Sequence, residues 1–216
     1  MADDSEQSRL PRLMIIAGAT GVGKSTLGNQ ILREFEFSRH VGTDTVREIL
    51  RNLGGGQDEN PALHRSSFSQ GESKDPINDW LDTCVVLDSG ISSVISRSRR
   101  EGVDLLLEGI HIVPSRGLLE EWRESGGVAV GLVLHVDHAE THQSRIEARE
   151  RNTFRGAARY LAAFDRIREI QRGIKERGVI SEWKAIDTHL IREPLLLIRQ
   201  WLDQGWYQQS RRNKAS

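Results

Sequence analysis

The stretch that most constrains this chain is residues 13–35, LMIIAGATGVGKSTLGNQILREF. A short apolar run enters a glycine-rich turn that closes on Lys24, Ser25 and Thr26, and an amphipathic segment follows. Strand, loop and helix are expected in that order. Gly18, Gly23, Lys24 and Ser25 satisfy the G-x-x-x-x-G-K-[ST] pattern at every position, in the strand-to-helix context the pattern requires. Gly18, Gly21 and Gly23, with Val22 among them, let consecutive backbone N–H groups converge on phosphate oxygens. The helix starting near Lys24 adds the positive end of its dipole. Lys24 is expected to place a point charge on the outer phosphates. The Ser25 hydroxyl is expected to ligate Mg²⁺, with Thr26 beside it in the first helical turn.

With 216 residues, the chain is long enough for one sizeable α/β domain. A formal net charge of −1 leaves no overall basic footprint, so no nucleic-acid partner is expected. Cys84 is the single cysteine, which rules out an intramolecular disulfide and fits a reducing compartment. The opening MADDSEQSRL is acidic and polar, the reverse of a secretory or mitochondrial leader. The longest apolar run, residues 128–134, is too short to span a bilayer. A cytoplasmic chain without a membrane partner, monomeric or homodimeric, is the expectation.

Beyond the opening loop, strands alternate with helices. Residues 39–42 read as a short strand, and TDTVREILRNL as a helix capped by Thr43 with Val46, Ile49, Leu50 and Leu53 on one stripe. Gly54, Gly55 and Gly56 stop it. The polar stretch to Pro76 is too long for an ordinary connection and reads as a functional loop. Apolar spacing from Ile77 through Cys84 and Asp88 to Ile95 predicts one long helix ending at Gly102. DLLLEG and residues 128–136 read as buried strands, with an amphipathic piece between them at residues 118–122. Residues 138–178 are helical in pattern almost throughout, a strand follows at residues 183–186, and a last helix at residues 194–202. The expected organisation is a tail over residues 1–10, one domain over 11–205 and a second tail over 206–216. The fold class is α/β, a phosphate-loop NTPase-type parallel sheet with helices on both faces and ligands at the carboxyl ends of its strands.

Guanine-nucleotide switches carry D-x-x-G after the third strand and N-K-x-D later, and neither is present; LLLEGIHIVP stands in place of the first. With an arginine-rich helical stretch after the next strand, the chain resembles the small-molecule and nucleotide kinases. There an arginine-bearing lid, here about residues 138–160, closes over the transferred phosphoryl group. Four segments in order, GATGVGKST, TDTVREILR, PALHRSSFS and LEGIHIVP, are similar to the 2-phosphoglycerate kinase family, and YLAAFDRIREIQ looks like that family's tail helix. The resemblance spans most of residues 13–175. Archaeal members carry an additional N-terminal region, and relatives tend to have Tyr after the Ser-Ser pair where this chain has Phe68.

The resemblance implies ATP and Mg²⁺ as cofactors and a small phosphorylated hydroxy acid as acceptor, with a nucleotide, sugar acid or natural-product hydroxyl as alternatives. A nucleotide-binding regulator that hydrolyses ATP slowly is the alternative from another class. Asp44, at the start of the second helix, is expected to orient or deprotonate the acceptor. Arg47 lies one turn on, on the same face, where its guanidinium suits an acidic group. His64, Ser66 and Ser67 match the family's acceptor segment. Glu108, at the end of the third strand, would hold a metal-bound water or compete with Asp44 as the base, and His111 and Pro114 would shape the wall. Arg149, Arg151 and Arg155 are the lid candidates for the charge on the transferred group, Arg149 on the nucleotide side. Glu147 and Glu150 are near enough in sequence to pair with some of them. His138 and His142 share a helical face, but without a carboxylate in metalloprotease order the spacing is weak evidence for zinc.

Overall fold

The computed structural model describes residues 9–53, 56–151, 154 and 156–215. Strand β1 (Arg12–Gly18) leads through the glycine-rich loop into α1 (Lys24–Phe35). Next come β2 (His40–Gly42), α2 (Thr43–Leu53), the single turn α3 (Pro61–His64), α4 (Pro76–Val85) and α5 (Asp88–Arg100). They are followed by β3 (Leu105–Gly109), α6 (Gly117–Glu124), β4 (Val128–His135) and α7 (Ala139–Glu150). The chain closes with α8 (Ala158–Ala162), α9 (Phe164–Ile180), β5 (Lys184–Asp187) and α10 (Pro194–Ala215).

The strands form one parallel sheet in the order β2-β3-β1-β4-β5. β3 and β4 are buried at every residue, which is why their sequences run apolar without alternating. Ile16 sits opposite Glu108 on one side and Leu132 on the other. With a side-chain period of two, this register fixes the faces. Gly28 of α1 lies against Leu106 and Glu108 on one face, and Gly205 of α10 against Val128 on that same face. Gly178 of α9 lies against Val133 on the other, with α4 packed against α9. The loops after β1, β2 and β3 therefore emerge together at the carboxyl edge, where such sheets hold their ligands. Among the described residues no helix is long and apolar enough to cross a membrane.

Several expectations are corrected. The long helix of residues 76–102 is two, α4 and α5, broken at Val86 and Leu87. Leu87, fully buried, takes the core position the spacing gave to Asp88, which is exposed. The helical stretch after residue 138 is interrupted between α7 and α8, where Gly156 has a positive φ of 68°. Thr43 is the first residue of α2, and its hydroxyl is hydrogen-bonded to His111 Nδ1 at 3.2 Å. Gly54 and Gly55 lie outside the described residues. At the two ends, Arg9 donates to the Phe35 carbonyl at 3.0 Å and Leu10 packs on the core, so residues 9 and 10 are attached. Residues 206–215 continue α10, because the buried positions Ile198, Leu202 and Gln209 keep helical spacing through a polar segment that an apolar pattern does not register.

One close approach in the sheet is at Gly131. A Cβ there would lie 2.3 Å from the Trp183 ring, which is anchored by its Nε1–H to the Ser115 carbonyl at 3.0 Å. Gly131→Ala is therefore expected to destabilise the fold by about 1–3 kcal/mol through overpacking. Urea unfolding followed by tryptophan fluorescence measures this; an unchanged midpoint would mean that Trp183 moves freely.

Candidate active site

The loop between β1 and α1 is shaped by two left-handed glycines, Gly21 at φ 85° and Gly23 at φ 94°. Gly23 is the N-cap of α1, no side chain caps the helix and its first turn contains no acidic residue. Backbone N–H groups of the first turn are thus left for an external anion. Lys24 Nζ donates to the Ala19 carbonyl at 2.9 Å, folding back over the loop. Ser25 Oγ donates to Glu108 Oε2 at 3.2 Å, while Glu108 Oε1 lies 3.5 Å from His40 Nε2. A hydroxyl and a nearly buried carboxylate beside an anion cradle are hard oxygen donors of the kind Mg²⁺ takes, so the residues fit that ion.

The loop is held from behind by α7 and by the turn after β5. His142 Nε2 donates to the Thr20 carbonyl at 2.7 Å, and a Cβ on Gly21 would lie 2.4 Å from Ile146. The Thr188 hydroxyl donates to the Val22 carbonyl at 3.0 Å. Gly18 is equally constrained, since a Cβ would lie 2.7 Å from the Leu134 carbonyl oxygen.

Two clefts border this loop. The first, of about 490 Å³, is lined by Gly21, by residues from Gly23 to Leu27 and by Arg145, Arg149, Thr188 and Arg192. The second, of about 250 Å³, is lined by Thr20, Asp44, Arg47, Ser66, Ser67 and Phe68, with Glu48, Ile110, His111, Arg149, Arg159 and Tyr160. Arg149 belongs to both, and the loop passes between them. A further cavity of about 340 Å³ at the other edge, between α6, β4 and α10, contains none of the motif residues.

The charges respond to this crowding. Loss of water around the ammonium lowers the Lys24 pKa to about 8, opposed by Glu108 and Asp44 and assisted by Arg149. His111 is almost fully buried and pushed down to about 4, first by burial and then by Arg47 and Lys24, while Asp44 pulls the other way. It is a neutral imidazole near pH 7, with Nδ1 3.8 Å from Asp44 Oδ1. Asp44 itself is open to solvent at the start of α2.

The wall made by residues 66–68 is secured through Asp79, fully buried on α4. Burial would raise its pKa, but hydrogen bonds from the Gly71 N–H, the Ser73 hydroxyl and the Arg166 guanidinium outweigh that and hold it at about 2. Arg166 also donates to the carbonyls of Phe68, Ser69 and Lys74. Arg47 donates Nε to the Leu63 carbonyl at 3.0 Å and one Nη to the Arg65 carbonyl.

The family described as AAA domain matches residues 14–171, nearly three quarters of the chain. The chain belongs to that family. Among its curated relatives, 2-phosphoglycerate kinase of Methanopyrus kandleri is 35% identical over 85% of this chain, and that of Thermococcus kodakarensis 35% over 76%. The protein of that name from Methanococcus maripaludis is 32% identical over 84%. The chain spans 58%, 57% and 61% of these relatives' lengths. A crystal structure of a gluconokinase from Sinorhizobium meliloti aligns with a TM-score of 0.50 at 17% identity, covering 93% of this chain and 98% of that one. At such identity the likeness is one of fold.

In this AAA-domain chain the loop residues, Asp44, Arg47, Ser66, Ser67, His111 and Arg149 are brought to the clefts, with Glu108 bonded to Ser25 between the sheet and α1. Gly18 and Val22 shape the loop from within. His64 ends α3 and lines neither cleft. Arg151 is exposed after α7 and also lines neither; Arg155 lies outside the described residues. His138 caps α7 by accepting from the Thr141 N–H and His142 supports the loop, so neither is oriented as a zinc pair. Sequence reasoning did not single out Arg145, Thr188 and Arg192 in the first cleft, Arg159 and Tyr160 in the second, or Asp79 and Arg166 behind it. Of these only Arg145 and Arg159 gave a signal, as members of the arginine-rich helical stretch.

Two measurements test these charges. Above about pH 8 free Lys24 loses its proton, so a bound triphosphate must recapture one. Calorimetric affinity for a non-hydrolysable nucleoside triphosphate is expected to fall as pH rises through that value, and Lys24→Arg to flatten the fall; a flat wild-type profile would contradict the assignment. The depressed Asp79 pKa contributes stability that is present above the ordinary carboxylate range and lost as pH falls through about 2. In urea unfolding at decreasing pH, Asp79→Asn is expected to be less stable at neutral pH and to lose less on acidification; parallel curves for the two proteins would remove Asp79 from this role.

Proposed function

We propose that this chain is a kinase that transfers the γ-phosphoryl group of ATP to the hydroxyl of a small phosphorylated hydroxy acid, 2-phosphoglycerate-like, with Mg²⁺. The observation that carries the reading is the pair of clefts meeting at the phosphate loop, with Lys24 lining the first and Arg149 reaching both. A slow regulatory hydrolase has no use for the second. At about 250 Å³ that cleft lies below the usual range for pockets that enclose drug-sized ligands, which favours a small acid over a nucleotide as acceptor. The names of the curated relatives point to the same acceptor class.

In this reading the amides at the start of α1 and Lys24 grip the β- and γ-phosphates, and Arg149 faces the group in transfer. Ser25 and Glu108 would hold Mg²⁺, which when bound neutralises charge on the phosphate oxygens. Asp44 presents the acceptor hydroxyl and takes its proton as the oxygen bonds to the γ-phosphorus and the bridging oxygen leaves with ADP. Neutral His111, hydrogen-bonded to the Thr43 hydroxyl, fixes the floor beside Asp44 without adding a competing charge. Arg47 has two donors committed to the 63–65 backbone, so it shapes the pocket as well as charging it.

The test is a coupled assay of ADP release across phosphorylated and unphosphorylated hydroxy acids. Acceptor-stimulated release is expected for a phosphorylated acid, and Lys24→Ala should lower it by about two to three orders of magnitude with an unchanged thermal melt. ADP release indifferent to every acid would refute the kinase reading in favour of a hydrolase.

A further inference from the structure

The second cleft contains three guanidinium groups among its described residues, and they are not equivalent. Arg47 is tied to two backbone carbonyls. Arg149 donates Nε to Glu150 Oε1 at 2.6 Å, and that carboxylate is fully buried, so its charge is matched inside the protein. Arg159 differs. Among the described residues what its guanidinium touches is neutral: one Nη donates to the Tyr160 hydroxyl at 2.6 Å, and the group lies 4.6 Å from the centre of the same ring. Tyr160 is 4% exposed and packs on Phe68 with ring centroids 5.0 Å apart, and Phe68 is anchored by Arg166 through its carbonyl.

Arg159 is therefore a cation pre-oriented on a rigid aromatic platform, at the rim of the second cleft and outside the first. Stacking fixes the plane of a guanidinium, and the N–H groups not used by Tyr160 remain as a planar fork, the geometry that matches a phosphate or carboxylate. Asp44 and Glu48 line the same cleft, where they repel an acid bound close to them and favour its anionic end near Arg159.

We infer that Arg159, held by Tyr160 and Phe68, is the specificity-determining residue that binds the phosphate the acceptor already carries, and so separates a phosphorylated hydroxy acid from its unphosphorylated counterpart. The inference rests on the kinase reading above and adds which residue reads the acceptor. Arg159 makes no contact with the nucleotide in this assignment, so its loss affects one substrate only. Tyr160 acts through Arg159 and is a positioning residue.

The experiment compares wild type, Arg159→Gln, Arg159→Lys and Tyr160→Phe with 2-phosphoglycerate and with glycerate, by ADP release. The expected result for Arg159→Gln is a KM for 2-phosphoglycerate raised about 10- to 100-fold, the scale of a lost charge-assisted hydrogen bond, with the KM for ATP and the rate on glycerate unchanged. Lysine should restore part of the loss, and Tyr160→Phe should move the acceptor KM in the same direction by less. Equal binding of 2-phosphoglycerate by wild type and Arg159→Gln in calorimetry, with unchanged selectivity over glycerate, would overturn the inference while leaving the kinase intact. A wild type that neither binds nor phosphorylates any acid would overturn the kinase reading itself, and the inference with it.

Discussion

Among the described residues the first turn of α1 has no protein acceptor for its amides, and the site is organised around leaving it that way. Gly23 caps the helix in a left-handed conformation that places no side chain near the turn, and the acidic residue that commonly opens a helix is missing. Such an end is a concentration of unpaired donors and positive dipole, and a loop with so few internal bonds would collapse unless something else held it. The support comes from behind: His142 on the Thr20 carbonyl, Thr188 on the Val22 carbonyl and Ile146 over Gly21. The segment expected as a lid thus begins, in α7, as a wall of the cradle. The lowered pKa of Lys24 expresses the same tension, since an ammonium is kept among amides and guanidinium groups with little water to stabilise it.

The second cleft depends on a different device. Residues 61–75 carry little regular structure, and a loop of that length costs conformational entropy to fix. It is fixed by guanidinium groups donating to backbone carbonyls: Arg47 to residues 63 and 65, Arg65 to residue 79, Arg166 to residues 68, 69 and 74. Asp79 collects the charge of Arg166 at the centre. A buried pair of this kind is weak as a source of net stability, and breaking one side leaves the other uncompensated. Its value here is positional, since Ser66, Ser67 and Phe68 stand where the pair places them.

These two devices also separate what was legible in the sequence from what was not. The phosphate loop, the strands and the parallel sheet follow from local pattern: glycine spacing, apolar runs and their alternation with helices. Asp44 and Arg47 on one cleft follow from a single helical turn. By contrast Arg166 meets Asp79 across 87 residues and His142 meets Thr20 across 122, and no local period encodes such pairings. The polar end of α10 was hidden for a related reason, because Gln209 is buried as amply as a leucine while reading as solvent-facing. The broken helix at Leu87 shows the finer limit: a stripe every three or four residues tolerates one polar member, and only packing shows which neighbour turns inward.

The two carboxylates that sequence alone could not tell apart are separated by the register of the sheet. Glu108 sits on the face that α1 covers, opposite Ile16, and there it meets Ser25 and His40 and is almost closed to solvent. Asp44, the second residue of α2 beyond β2, lines the second cleft and is itself exposed. A group that must exchange a proton with an incoming hydroxyl needs access, and one that must hold a hard cation needs fixed oxygen neighbours. Those requirements favour Asp44 as the base and Glu108 as the metal-side acid. The two meet electrostatically at Lys24, whose ammonium both carboxylates favour against its burial.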